Sequence, residues 1–187
     1  MMPLKNDARR FGLVSVVLHW GVALTVFGLF GVGLWMVGLD YYSPWYQQAP
    51  FLHKSVGVVL FAVMLLRLVW RWISPPPPAL VTHARWERIG AHLGHLALYL
   101  LVFAILISGY LISTADGRPV SVFGLFEVPA TLSGLARQED IAGAVHYWLA
   151  WTLIALVVVH AAAALKHHFI DRDVTLLRML GRSAERD

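Results

Sequence analysis

The sequence contains no cysteine. Disulfides, iron–sulfur clusters and covalent attachment of a c-type haem are therefore excluded. Charge is scarce as well: Asp, Glu, Lys and Arg make up 14% of the 187 residues, against 58% hydrophobic. From Ile141 to Leu165 there is no charged residue at all. No carboxylate lies inside any of the long apolar runs, which disfavours a zinc or non-haem iron site built inside a span. The net charge is +4. Its Lys and Arg flank the apolar runs and do not gather on a polar face, so no nucleic-acid partner is expected.

What is present is apolar length. Mean hydropathy is +0.65, and the apolar residues fall in four runs, a pattern that places the chain in the integral membrane class. Spans are predicted at about 12–39, 52–73, 90–114 and 141–168, followed by an amphipathic basic tail over 171–187. The first run is too long for the 7–15-residue core of a signal peptide. The tract Pro75–Pro78 must be a stiff connector. Basic residues mark the N-terminus (Lys5, Arg9, Arg10), the second connection (Arg67, Arg71, Arg85, Arg88) and the tail. These are the cytoplasmic sides by the charge rule. The expectation is an all-α, multi-pass, integral membrane four-helix bundle, one domain over 1–187, with both termini cytoplasmic and the lipid bilayer as its surroundings.

Nine histidines in so apolar a chain need a reason. His146 and His160 are 14 residues apart in the last run. On a helix that is a rise of about 21 Å with both side chains nearly on one face. Topology puts His19 at the depth of His160, on the cytoplasmic side, and His53 at the depth of His146, on the outer side. Two transverse pairs result, His19 with His160 and His53 with His146. An axial haem pair needs this arrangement, with neutral imidazoles on facing helices and the macrocycle between them. A membrane histidine can also serve as an interhelical hydrogen-bond former. Gly57 and the Ala161–Ala164 run leave room for a flat group or for close helix packing.

His92 and His95 share a helix face at i, i+3, and His167 continues the stripe of His146 and His160 inward. These three could line a cytoplasmic-side pocket where a histidine donates to a quinone carbonyl. His83, in the connector, reads as an ordinary solvated side chain, and His168 as a headgroup-level one.

At these residues the chain resembles the bacterial cytochrome b561 family of four-helix di-haem membrane cytochromes. The motifs are LHW at Leu18–Trp20, HKSVG at His53–Gly57, AHLGHLALYL at Ala91–Leu100, the histidine spacing from His146 to His160, and HAAAALKHHF with TLLRML at Thr175–Leu180. The resemblance is greatest to the superoxide:ubiquinone oxidoreductase branch. It implies two b haems, with His19/His160 and His53/His146 as the iron ligands, a ubiquinone site near His167, and a place in the bacterial inner membrane. Lys54, after the outer ligand, and Arg118 and Arg137, in an outer loop that also carries Glu127, Glu139 and Asp140, would offer a basic approach for an anion. Two functions follow: an enzyme that oxidises superoxide outside and reduces ubiquinone, or an electron-transfer subunit that docks a dehydrogenase, a hydrogenase or a periplasmic carrier. A structural or transporter-like role ranks last, because it leaves the histidines as packing. No residue is singled out as catalytic.

Overall fold

The computed structural model describes residues 2–182. Four long helices account for most of them: α1 Leu13–Met36, α2 Gln48–Ile73, α3 Arg85–Ser113 and α4 Gln138–Phe169. They have 24, 26, 29 and 32 residues. At 1.5 Å per residue each reaches at least about 36 Å, beyond the roughly 30 Å hydrocarbon core of a bilayer. All four are long and apolar enough to cross a membrane. Large apolar side chains such as Leu24, Leu66, Leu100 and Val159 are exposed along them, as lipid-facing residues are. The fold is that of a four-helix membrane protein.

Three helices begin before their apolar runs, each for a local reason. Pro50 lies in the first turn of α2, where a missing N–H costs nothing because that N–H would be unpaired. At the start of α3 the Glu87 carboxylate reaches back to accept from the Ala84 N–H at 2.9 Å, half of a capping box. In α4 the first turn carries Glu139 and Asp140, and the last turn Lys166, His167 and His168. Both ends thus match the helix dipole.

The connection between α3 and α4 holds a small antiparallel hairpin, β1 Val120–Val122 with β2 Phe126–Val128. Its turn uses positive φ at Phe123 (53°) and Gly124 (71°), the backbone twist that tight hairpins favour. The strands are three residues each, too short to announce themselves by alternation. They are held by burial instead: Val122 is fully buried, and the Phe123 N–H donates to the Ser55 hydroxyl at 3.0 Å. The Gln138 amide closes the same connection, donating to the Leu111 and Leu132 carbonyls at 3.0 and 3.1 Å.

The chain divides into two compact units. The first holds the described residues of Met1–Gly21, Leu65–Leu100 and Leu153–Asp187, and the second Val22–Met64 and Leu101–Thr152. In the first unit, the Asn6 side-chain amide donates to the Ser74 and Pro75 carbonyls at 2.8 and 3.1 Å. This caps the chain leaving α2, where the proline tract supplies no donors. The short helix α5, Thr175–Met179, belongs to the tail. The Trp20 indole N–H donates to the Met179 carbonyl at 3.0 Å, and the Arg178 guanidinium to the Pro78 carbonyl at 2.9 Å.

Candidate functional site

In the second unit His53 on α2 faces His146 on α4, with ring centroids 6.3 Å apart and planes at 69°. The His146 Nδ1 lies 2.9 Å from the Ile105 carbonyl and 3.1 Å from the Ser108 hydroxyl. A carbonyl only accepts, so Nδ1 carries the ring proton and Nε2 keeps its lone pair. A metal ligand needs this tautomer, fixed in this way by the partner of the other nitrogen. The His53 Nδ1 is buried with no hydrogen-bond partner. Beside His53 lies a cavity of about 460 Å³, lined by Gly28, Val32 and Trp35 of α1 among others. Most of its wall is apolar, and its volume is within the usual range for cofactor pockets.

Two glycines make the ring positions available. A Cβ at Gly33 would lie 3.4 Å from the His53 Cε1, and one at Gly109 would lie 3.1 Å from the His146 Cε1 and 3.3 Å from its Nδ1. At Gly57 a Cβ would meet nothing within 4 Å, so that glycine leaves space and does not serve close helix packing.

In the first unit His19 on α1 faces His160 on α4, again with ring centroids 6.3 Å apart, planes at 57°. The recurrence of this spacing has a chemical meaning. A metal held about 2.0–2.1 Å from one nitrogen of each ring, with roughly 1.2 Å from nitrogen to ring centre, sets the centroids about 6.4 Å apart. Both pairs therefore fit a group that takes one imidazole on each face. One feature of the first unit works against loading as it stands. The Arg67 Nη2 is 3.1 Å from the His19 Nδ1. A guanidinium only donates, so here Nδ1 accepts and Nε2 carries the proton. Offering Nε2 to a metal requires the proton to move to Nδ1 and Arg67 to turn away. Tyr99 stands ready beside it, its ring 5.5 Å from the Arg67 guanidinium carbon.

The three histidines expected to share a pocket do not meet. His95 stacks edge-on to His160 at 5.2 Å and so joins the His19/His160 cluster. His92 is exposed and enters no described ring or hydrogen-bond contact. His167 lies with His83, their rings stacked at 4.4 Å. His83, expected to be solvated, also binds Asp173 through Nε2 at 2.8 Å. Its partners come from 84 and 90 positions along the chain, so no local signal announces them. Burial pushes the Asp173 carboxyl up, but the Thr175 N–H and the His83 ring hold it below the ordinary carboxylate range on balance.

In the connection between α3 and α4, Arg118 is paired with Asp116 at 3.1 Å, and Arg137 with Asp140 of the first turn of α4 at 3.6 Å. Each arginine has an acidic partner within three positions. Lys54, next to His53, is exposed.

Comparison with known proteins decides the family. A family model described as "Prokaryotic cytochrome b561" matches residues 10–182. The chain belongs to the prokaryotic cytochrome b561 family. It is 56% identical over 183 residues to "Cytochrome b561 homolog 2" of Escherichia coli (strain K12), covering 98% of this chain and 97% of that protein. It is 30% identical over 173 residues to "Probable superoxide oxidase CybB" of Yersinia pestis, covering 92% and 96%. It is 30% identical over 183 residues to "Cytochrome b561 homolog 1" of the same E. coli strain, covering 92% and 98%. As a bacterial cytochrome b561, the protein is a membrane electron-transfer protein of a family that binds b-type haem.

Proposed function

We propose that this cytochrome b561 holds two b haems, one between His53 and His146 and one between His19 and His160, and that it oxidises superoxide and reduces ubiquinone. The observation that carries the reading is the repeated 6.3 Å imidazole spacing, once in each unit. The similarity to a probable superoxide oxidase supports the choice of donor. Held by His53 with His146 and by His19 with His160, haem b would supply one-electron transfer. Per turnover, two superoxide anions each lose one electron to become dioxygen, and one quinone gains both electrons and two protons.

The residues have separate tasks in this reading. The Ile105 carbonyl orients His146, and Gly33 and Gly109 leave its pair room. His95, beside His160, and His167, beside Asp171 and Asp173, are the quinone-side histidines. His92, being exposed, contributes least. The charge rule supports cytoplasmic termini and a periplasmic His53/His146 side, and the family resemblance supports a place in the bacterial inner membrane.

A second reading, an electron-transfer subunit that docks a dehydrogenase, hydrogenase or periplasmic carrier, draws support from the hairpin. Phe123, Leu125 and Phe126 at its tip are 42%, 81% and 54% exposed, an apolar face suited to a partner or to headgroups. Stopped-flow mixing of purified protein with superoxide separates the two. Rapid haem reduction coupled to quinol formation is the expected result, and no reduction by superoxide would leave the docked-donor reading.

A further inference from the structure

The tail of α4 and the connector between α2 and α3 build a cluster that electron transfer between the two histidine pairs does not use. One ring nitrogen of His83, one of His167 and an oxygen of Asp173 lie within 4.8 Å of one another. We propose that His83, His167 and Asp173 form a binding site for one divalent transition-metal ion of the zinc class.

The donor geometry is already close to a ligand set. The Asp173 Oδ2 is 2.8 Å from His83 Nε2 and 3.2 Å from His167 Nδ1. Its other oxygen, Oδ1, accepts from the Thr175 N–H at 2.8 Å. The carboxylate is thereby fixed with Oδ2 turned to both imidazoles, the outer-shell support that metal carboxylates require. The two rings stack at 4.4 Å and 26°, and the nitrogens of both meet the same Oδ2.

His167 supplies the second, independent sign. Its Nδ1 has two carboxylate oxygens beside it, from Asp171 at 2.8 Å and Asp173 at 3.2 Å. Even so, it makes no well-directed hydrogen bond and is buried. Neither oxygen lies where a ring N–H points. An ion shared with His83 and the Asp173 carboxylate would satisfy that nitrogen.

Charge favours a dication. Around the rings stand Glu87, Asp171 and Asp173, against Lys166, which bonds Glu87 at 2.6 Å and Asp171 at 2.7 Å. Three carboxylates and one ammonium leave two negative charges among these groups. Imidazole with carboxylate suits zinc, cobalt or nickel better than magnesium or calcium. Ligation through Nδ1 puts the ring proton of His167 on Nε2, which leaves that N–H free to donate to another group.

The test uses full-length, haem-loaded protein in detergent, titrated with zinc chloride against a chromophoric chelator. One zinc per chain should bind, and His83→Ala and Asp173→Asn should each weaken it by more than about tenfold. Zinc-edge X-ray absorption of the wild-type complex should show two imidazoles with oxygen ligands. His83 lies in the connector, so His83→Gln provides a second variant whose haem spectrum and elution volume report intact folding. Zinc affinity unchanged in the folded variants, or a zinc shell without imidazole, would overturn the site.

Discussion

Gly109 offers the sharpest perturbation of one histidine pair without removing a ligand. An alanine Cβ there would lie 3.1 Å from the His146 Cε1 and 3.3 Å from its Nδ1. Carbon atoms in good contact sit about 3.5–4.0 Å apart. The ring must therefore retreat by a few tenths of an ångström or α3 must give. Retreat strains the 2.9 Å bond from Nδ1 to the Ile105 carbonyl, a bond of a kind worth about 0.5–1.5 kcal/mol. Glycine to alanine inside a helix otherwise stabilises by roughly 0.5–1 kcal/mol. The two effects nearly cancel in the fold but not at the ring.

Gly109→Ala should thus keep its thermal midpoint and both haems while one reduction potential moves and the other stays. Gly109→Val, with two more carbons at the same point, should lose the haem beside His146. Gly90→Ala serves as the control, because a Cβ there meets nothing within 4 Å. It should gain stability and move neither potential. The assay is a spectroelectrochemical redox titration with the haem-to-protein ratio measured in parallel. Wild-type potentials in Gly109→Ala together with full haem content in Gly109→Val would refute the placement of His146.

Three further outcomes are expected. Ser55→Ala removes the buried hydroxyl that accepts from the Phe123 N–H; unfolding should cost about 0.5–1.5 kcal/mol less, with faster hydrogen exchange over 120–128 and unchanged haem content. Asp7 accepts from the Arg9 N–H at 2.7 Å and the Arg10 N–H at 3.0 Å, and these bonds hold its carboxyl below the usual range. The turn it caps should be intact above the unfolded value and open only as pH falls through Asp7's own lower one; an NMR titration midpoint at or above about 3.9, the ordinary Asp value, would contradict this. Because Arg118 and Arg137 each have a neighbouring carboxylate partner, Arg118→Gln and Arg137→Gln should change the rate of haem reduction by superoxide less than twofold, whereas Lys54→Gln should slow it more and weaken its salt dependence.

Much of this was legible in the sequence because membrane spans and their histidines obey one-dimensional rules. An uncharged run of 20 or more residues is a helix in a bilayer, and 14 residues on a helix return to one face. Those two rules place His146 and His160, and flanking charge then finds their partners. Helix starts were less legible, since Pro50, Glu87 and Glu139 act through end effects that lie outside the apolar run. The hairpin was invisible because its order comes from Ser55, 68 positions away from Phe123. The clustering of His83 with His167 and Asp173 was hidden for the same reason: sequence separation conceals a contact that only the folded tail creates. Proximity of His95 to His160, and not to His167, likewise depends on helix rotation, which periodicity leaves open.

In the proposed function each of the two histidine pairs holds one haem. Haem-to-protein ratio and absorption spectrum, measured on the wild type and on alanine variants of His19, His53, His146 and His160, test it directly. Two haems per wild-type chain and one in each variant are expected, with His53→Ala and His146→Ala leaving the same spectrum and His19→Ala and His160→Ala the other. A wild type with a single haem, or His53→Ala and His146→Ala leaving different haems behind in folded protein, would contradict the pairing.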